Sequence, residues 1–207
     1  MIRKNFTFVI TTFRSGAVID ECLKDMPKDI RKIIVENSND HNLKDRLENM
    51  YENTECFLMS DNLGYGKANN FGIIKSNTDY VFILNPDTKI TDEKFTKIVS
   101  LLQEQDFAIA APQIVEKNIV YKQNKSDHQI KKVEHVFGMA MILNKRKFGN
   151  NFFDENIFLY HEEIDLCKRM INIGQNILEL NIQLNHLGNQ SHGGYDFEME
   201  KSRNWHW

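Results

Sequence analysis

The sequence predicts an α/β fold, a single domain built on a mixed, mainly parallel central sheet flanked by helices. Three observations carry this. Short, β-branched runs alternate with helix-period segments four times in the first half of the chain, which is the pattern of parallel strands joined by helical crossovers. Polar residues gather just beyond those runs, at one edge of the implied sheet. The 207 residues are enough for one such domain with a substantial core.

The elements are predicted in order as follows. Phe6 to Thr12 is short and β-branched, as a buried strand should be. A helical stretch over Ala17 to Met26 stops near Pro27. Ile33-Ile34-Val35 marks a second strand from Arg31 to Glu36, and Leu43 to Tyr51 reads as a helix. Glu55 to Met59 is the third strand, and Gly66 to Lys75 carries Ala68, Phe71, Ile74 and Lys75 at helical spacing. Tyr80 to Leu84 is the fourth strand, followed by a helix from Asp92 to Gln103.

The second half has a different texture. Phe107 to Ala111 and Ile114 to Tyr121 look like strands, and Val133 to Leu143 holds a long apolar run. Between them Lys122 to Lys132 is polar and basic. It reads as a solvated loop, or as a mobile loop near the active site that meets an acceptor or anionic ligand. A helix from His161 to Ile173 is expected to end at Gly174, a favourable residue just past a helix end. Two short strand-like pieces run through Leu178 and Leu184. The change in texture divides the chain into two halves, 1–104 and 105–207.

Apolar residues make up 41% and charged residues 27% of the chain, an ordinary balance for a water-exposed globular domain. The formal net charge of −3 gives no broad positive field, so no nucleic-acid partner is expected. Cys22, Cys56 and Cys167 lack metal-binding spacing and lie in apolar sequence, as buried thiols in a reducing cytoplasm do. No apolar stretch approaches the roughly 20 residues needed to span a bilayer. A cytoplasmic location is expected, at most peripheral to the inner membrane. The aromatic end Arg203-Asn204-Trp205-His206-Trp207 is expected to continue into an amphipathic segment missing from the sequence, through which peripheral membrane contact would run.

In a parallel α/β sheet ligands bind beyond the carboxyl ends of the strands, where loops converge and helix N-termini point at the ligand. The four predicted strands exit into Thr11-Thr12-Phe13, Glu36-Asn37-Ser38-Asn39-Asp40, Asp61-Asn62-Leu63-Gly64-Tyr65-Gly66 and Asn85-Pro86-Asp87-Thr88. Pro86 restricts itself and Asn85, so Asn85 and Asp87 are held in a rigid extended turn. A carboxylate at a strand exit commonly caps the next helix. Here Thr91 or Asp92 is better placed for that, which leaves Asp87 for a hard cation, Mg²⁺ or Mn²⁺.

Gly64-Tyr65-Gly66 precedes a helix, but Asn69 stands where a dinucleotide fingerprint needs its third glycine. Close approach to a ligand and tight helix packing both suit these glycines. Glu162 and Glu163 sit side by side near a helix start and must repel, which raises the pKa of one toward the range of a general base. Asp165 and Arg169 are spaced to pair along that helix. His186 is a metal ligand or an ordinary buried histidine. His161 and His192 read as structural or solvent-facing.

As an ordered set these segments resemble glycosyltransferase family 2, the inverting nucleotide-sugar transferases of the GT-A fold, and in particular its bacterial rhamnosyltransferase-like members. The family's V-x-V-T-Y is similar to Val9-Ile10-Thr11-Thr12-Phe13, and its V-D-N-x-S-x-D to Val35 through Asp40, slightly contracted. Asn62, Gly64, Asn70 and Gly72 meet its N-x-G-x-x-x-x-x-N-x-G pattern, and L-N-P-D-T is intact from Leu84 to Thr88. The later F-D-E through E-D-x-D-L-x-x-R resembles Phe153 to Arg169, and the closing H-x-x-x-x-S fits His186 and Ser191.

The resemblance implies that Thr12, Glu36 and Ser38 line the nucleotide pocket, with Glu36 accepting from the imino N–H of a pyrimidine. Asn62, Gly64, Asn70 and Asn85 would complete the nucleotide-sugar site. It further implies that Asp87 and His186 bind Mn²⁺ or Mg²⁺, and that Glu163 stands at the general-base position with Glu162 as its alternative. The implied partners are a nucleotide-sugar donor, UDP- or dTDP-linked (dTDP-rhamnose among them), and a glycan or lipid-linked acceptor. Two departures stand out: Glu36 replaces the family's commoner Asp, and Glu163 is one methylene longer than the family's Asp. The competing readings are a nucleotidyltransferase and a non-catalytic module that only binds sugar nucleotides. The first is disfavoured because Thr11 to Gly16 is a poor match for the Gly-rich basic loop it needs.

Overall fold

The computed structural model describes residues 3–117, 119–121 and 128–188. Along the chain come β1 (Phe6–Thr12), α1 (Ile19–Leu23), β2 (Arg31–Glu36), α2 (His41–Met50) and β3 (Thr54–Leu58). These are followed by α3 (Tyr65–Lys75), β4 (Tyr80–Leu84), β5 (Thr88–Lys89), α4 (Asp92–Leu102) and β6 (Ile109–Glu116). The remainder comprises β7 (Ile119–Tyr121), β8 (Ile130–Lys132), β9 (Ala140–Asn144), α5 (Glu162–Asn172) and β10 (Ile177–His186).

All ten strands belong to one sheet, whose main path is β3-β2-β1-β4-β9-β6-β10-β5, with β7 on β6 and β8 on β10. The first four are mutually parallel. β9 is antiparallel to both β4 and β6, so β6 points the same way as the first four, and β10 follows β6 in parallel. The strands opposed to this direction are β9 and the short β5, β7 and β8. The mixed, mainly parallel sheet expected from the sequence is therefore present.

Alternation along β1 explains the two apolar layers. Phe6, Phe8 and Ile10 join a cluster with Phe82, Phe95, Ile98, Phe107 and Ile142 on one face. Val9 joins Ile33, Val35, Ile83, Met141 and Leu166 on the other. Every residue of β1 is buried, as a strand covered on both faces must be. Helix starts follow local chemistry. Asp40 caps α2 by accepting from the Leu43 N–H at 3.0 Å, and Thr91 caps α4 by accepting from the Lys94 N–H at 3.3 Å. Thr91 thus takes the role that would otherwise have fallen to Asp87. At the far end of α5, Gly174 has φ +78 and its N–H bonds the Ile171 carbonyl, as anticipated for a helix stop.

Several boundaries differ from expectation. The first helix shrinks to Ile19–Leu23 because the Ser15 carbonyl takes the N–H groups of Val18 and Ile19, turning the chain before the helix begins. The two strands expected at Phe107 to Ala111 and Ile114 to Tyr121 are instead β6, which runs through Pro112, and β7, which folds back onto it after Lys117 at φ +48. Pro112 brings no N–H to the ladder, and the pairing of β10 shifts register just beyond it, between Leu180 and Gln183. The two strand-like pieces through Leu178 and Leu184 are accordingly one irregular strand. Ile130–Lys132, expected in a loop, pairs with β10, while residues 122–127 lie outside the described residues. The apolar run from Val133 forms strand only from Ala140.

Gly72 shows how tightly α3 is seated on the sheet. A Cβ there would lie 2.4 Å from Val9 Cγ1 and 3.3 Å from Val35 Cγ2. Gly72→Ala is expected to destabilise the fold by about 1–3 kcal/mol through overpacking. The readout is a lowered urea midpoint with unchanged slope; an unmoved midpoint would mean that α3 has room to spare.

Candidate active site

Six strands point the same way, so six carboxyl ends reach one edge of the sheet, and the chemistry-bearing residues collect there. A cavity of about 300 Å³ opens at this edge. Thr11 and Phe13 follow β1, Asn37 follows β2, Asn62 and Gly64 precede α3, and Asn85 and Pro86 follow β4. Glu116 ends β6 and His186 ends β10. The rest of the lining is formed by Phe137, Gly138 and Met139, by Phe158, Leu159 and Tyr160, and by Glu162 and Glu163 at the start of α5.

The turn after β4 is pinned from three sides. Asn85 N–H donates to the Met139 carbonyl, Thr88 N–H to the Asn85 carbonyl, and Leu187 N–H to the Asp87 carbonyl. β5 pairs antiparallel with the end of β10, placing Thr88 opposite His186. This brings Asp87, fully buried, to 3.0 Å from His186 through Oδ1 and Nε2. His186 Nδ1 lies 3.0 Å from Glu116 Oε2.

Both ring nitrogens face carboxylates, which only accept, but only the Nδ1–Glu116 contact is aligned as a hydrogen bond, so the proton of a neutral His186 belongs on Nδ1 and the Nε2 lone pair faces Asp87. Although near, Nε2 and Oδ1 do not align as a hydrogen bond, and both Asp87 oxygens are buried without a hydrogen-bond partner. Lone pairs set against each other in a buried place call for a positive charge between them. A hard divalent cation fits this oxygen-plus-imidazole pair. A proton would use the same place: burial opposes a charged His186, but Asp87 and Glu116 outweigh it and raise its pKa. Among the described residues no three His, Cys, Asp or Glu side chains form a complete metal cage, so remaining ligands would have to come from elsewhere.

Glu162 and Glu163 belong to the same lining. Glu162 is 4% exposed and its Oε2 has no hydrogen-bond partner. Burial, with the Glu163 charge adding, pushes its pKa up to about 8. Burial also raises Glu163. Tyr65, at the start of α3, donates its hydroxyl to the Gly138 carbonyl at 2.6 Å, tying α3 to the loop beside Glu163. Burial and then the two glutamates hold its phenol well above the usual range. Tyr160 and His161, immediately before α5, have φ of +65 and +70. Left-handed backbone at two successive non-glycine residues is strained, and such strain concentrates at functional sites. The acidic first turn of α5 complements its dipole, and Asp165 pairs with Arg169 at 2.8 Å.

Not every residue expected at the site reaches the cavity. Glu36 is fully buried. Its Oε2 accepts from Thr12 Oγ1 at 3.0 Å, and its Oε1 from the Ser38 N–H and hydroxyl. Thr12, Glu36 and Ser38 thus brace the exits of β1 and β2, and none of the three lines the cavity. Asn70 exchanges hydrogen bonds with the Phe153 backbone, its Nδ2 donating at 2.8 Å and its Oδ1 accepting at 3.0 Å. It anchors the 153–155 segment on α3 rather than facing a ligand. Gly64 lines the cavity, but its glycine is required elsewhere: at φ +77, a Cβ would lie 2.3 Å from the Phe158 carbonyl oxygen. Gly66 likewise packs against Phe153, 3.2 Å from a built Cβ. Ser191, His192 and Trp205 to Trp207 lie outside the described residues.

Glu116, Tyr65 and the walls at 137–139 and 158–160 escaped the sequence reading. Glu116 was hidden because β6 was expected to run on to Tyr121, so its exit was never inspected.

The family model for glycosyl transferase family 2 matches residues 7–171. The chain belongs to that family. A curated relative, the low-salt glycan biosynthesis hexosyltransferase Agl10 of Haloferax volcanii, is 24% identical over 200 residues, spanning 83% of this chain and 64% of that protein. Among solved structures, S. aureus TarS 1–349 in complex with UDP-GlcNAc superposes with a TM-score of 0.73 at 15% identity, over 93% of this chain and 61% of that one. GalNAc-T7 with UDP, GalNAc and Mn²⁺ gives a TM-score of 0.66 at 11% identity, over 88% of this chain and 43% of that one. The chain thus spans under two-thirds of these proteins' lengths, and the shared architecture is the GT-A fold. Among the described residues no helix is long and apolar enough to cross a membrane.

The glutamate pair makes stability depend on pH. The folded pKa of Glu162 is raised from about 4.5 to about 8, so the folded state holds the extra proton between these values. Stability from this group is full below the unfolded pKa and is lost as pH rises through the folded one. Glu162→Gln, which cannot ionise, should gain on the wild type across that window, by on the order of a few kcal/mol at its alkaline end. Denaturant titrations over the window should show the two stabilities drawing apart as pH rises; parallel curves would rule out a raised Glu162.

Proposed function

We propose that this chain is the catalytic part of an inverting glycosyltransferase that moves a sugar from a UDP- or dTDP-linked donor to a hydroxyl of a glycan or lipid-linked acceptor. The observation that carries this is the gathering of two acidic groups at one cavity, His186 with Asp87 behind it and the adjacent Glu162 and Glu163. Residues 1–104 supply most of the donor side and 105–207 the acceptor side. The hexosyltransferase relative and the UDP and UDP-GlcNAc complexes of the fold neighbours support the donor class. dTDP-rhamnose remains one of the donors within it.

The need for a cation follows from charge. Among the described residues lining the cavity there is no Lys or Arg, while Glu116, Glu162 and Glu163 are present and Asp87 lies directly behind. A diphosphate entering alone would meet only repulsion. Asp87 and His186 would hold Mn²⁺ or Mg²⁺, which would supply the positive charge that offsets the negative charge growing on the diphosphate as the sugar departs. The Mn²⁺ in the GalNAc-T7 structure supports this assignment.

The chain's own residues do the rest. Asn62, Gly64 and Asn85 offer polar atoms on the donor side, and the Thr12–Glu36–Ser38 brace keeps the first two strand exits in register. Glu163 accepts the proton of the acceptor hydroxyl as that oxygen bonds to the anomeric carbon. The bond from that carbon to the diphosphate oxygen breaks in the same displacement, which inverts the centre and releases the nucleoside diphosphate. The apolar wall of Phe137, Met139, Phe158 and Leu159 limits water, the competing acceptor.

Glu163→Gln is expected to lower the turnover of sugar transfer by about 10²–10⁴-fold while UDP binding by calorimetry is unchanged. Glu162 is the second reading for the base, favoured by its orphaned Oε2. A large loss in Glu162→Gln with normal turnover in Glu163→Gln would exchange the two roles. Asp87→Ala should abolish the Mn²⁺ dependence of UDP binding; persistence of that dependence would remove the cation from Asp87.

A further inference from the structure

Among the described residues lining the cavity, Glu116 is the one carboxylate with no place in the family's motifs or in the transfer just described. It ends β6, next to the end of β10. The parallel register runs to Val115 opposite Asn185, so Glu116 and His186 are the next residues on neighbouring strands. Backbone pairing, not side-chain reach alone, therefore sets their distance, and Oε2 comes to 3.0 Å from Nδ1.

The other oxygen of Glu116 is confined as well. Gly188 has φ +70, and a Cβ there would stand 2.4 Å from Glu116 Oε1. The chain beyond β10 thus passes close against the carboxylate, in a left-handed backbone that favours glycine. This enclosure leaves the Glu116 side chain 20% exposed, against 8% for His186 and none for Asp87.

We infer that Glu116 is a positioning residue for the cation site: by holding Nδ1–H of His186 it turns the bare Nε2 toward Asp87 and makes it a better ligand. The physical ground is that an imidazole has one proton to place when neutral. A carboxylate at Nδ1 decides which nitrogen keeps its lone pair, fixes the ring plane and strengthens the opposite nitrogen as a donor of electrons. Without Glu116, His186 would be free to place its proton on Nε2, where the Asp87 carboxylate would accept it, and the pair would be closed to a metal. This inference rests on the reading of Asp87 and His186 as the cation ligands.

The test follows protein-bound Mn²⁺ by electron paramagnetic resonance, with and without UDP, in the wild type, Glu116→Ala, Glu116→Gln, Glu116→Met and Asp87→Ala. Glu116→Ala should bind Mn²⁺ about 10–100-fold more weakly. Glu116→Gln keeps an acceptor oxygen for Nδ1–H and should recover most of that loss, whereas Glu116→Met, of similar size but without an acceptor oxygen, should not. Nitrogen-15 shifts of the His186 ring, taken at a pH where it is neutral, should report the Nδ1–H form in the wild type. They should show a shift toward the Nε2–H form in Glu116→Ala. Unchanged Mn²⁺ affinity and an unchanged ring tautomer in Glu116→Ala, with binding lost in Asp87→Ala, would overturn the role of Glu116 and leave the cation site standing. Wild-type Mn²⁺ binding by Asp87→Ala would instead overturn the cation site, and the inference with it.

Discussion

Thr88 faces His186 because β5 pairs, over only two residues, with the end of a strand nearly one hundred positions away in the chain. Asp87 precedes that pairing directly, and its carbonyl takes the Leu187 N–H on the far side of it. A buried carboxylate and a buried imidazole are thereby held face to face, without room for water to solvate either. The remaining features answer to this constraint. Pro86 stiffens the turn that delivers Asp87, Thr91 relieves it of capping duty, and Glu116 claims the outer nitrogen of the ring.

The start of α5 is organised by a related difficulty. Two adjacent glutamates begin α5, one of them 4% exposed. Their mutual repulsion is partly relieved by the helix dipole, by protonation and, at Glu163, by the nearby His161 and His135. The strained Tyr160–His161 backbone sets the direction in which that helix starts, and Tyr65 secures the facing loop. Both acidic groups are costly in the folded state. Their retention within one apolar-walled cavity is the mark of a site kept for chemistry rather than for stability.

Much of this was legible in the sequence because the first half of the chain folds by local rules. β2 and β4 lie where the β-branched runs placed them, and the polar exits of β1 to β4 gather as a parallel sheet demands. Asp87, Asn85, Glu162, Glu163 and His186 were named from spacing and resemblance, and the structure brings them around one cavity or directly behind it. The sequence says least where long-range packing decides what local pattern cannot. Glu36 and Asn70 carry side chains suited to binding, yet their hydrogen bonds are taken by Thr12, Ser38 and the Phe153 backbone. Whether a polar group faces a ligand or its own chain depends on neighbours that sequence spacing does not reveal. Glu116 was missed for the opposite reason. A strand through Pro112 and a turn at Lys117 cannot be read from periodicity, so the end of β6 was misplaced by five residues.

The two-residue pairing of β5 with β10 also has a meaning in time. Among the described residues, β1–β2 and β2–β3 close over short stretches and β1–β4 over a longer one, whereas the pairing that unites Asp87 with His186 closes over the longest. During synthesis the donor-side scaffold is complete in sequence long before residue 186 is made. A nascent chain that has emerged only as far as α5 therefore has its acidic groups but lacks the imidazole that joins Asp87. The Asp87–His186 pair is complete only with the last described strand.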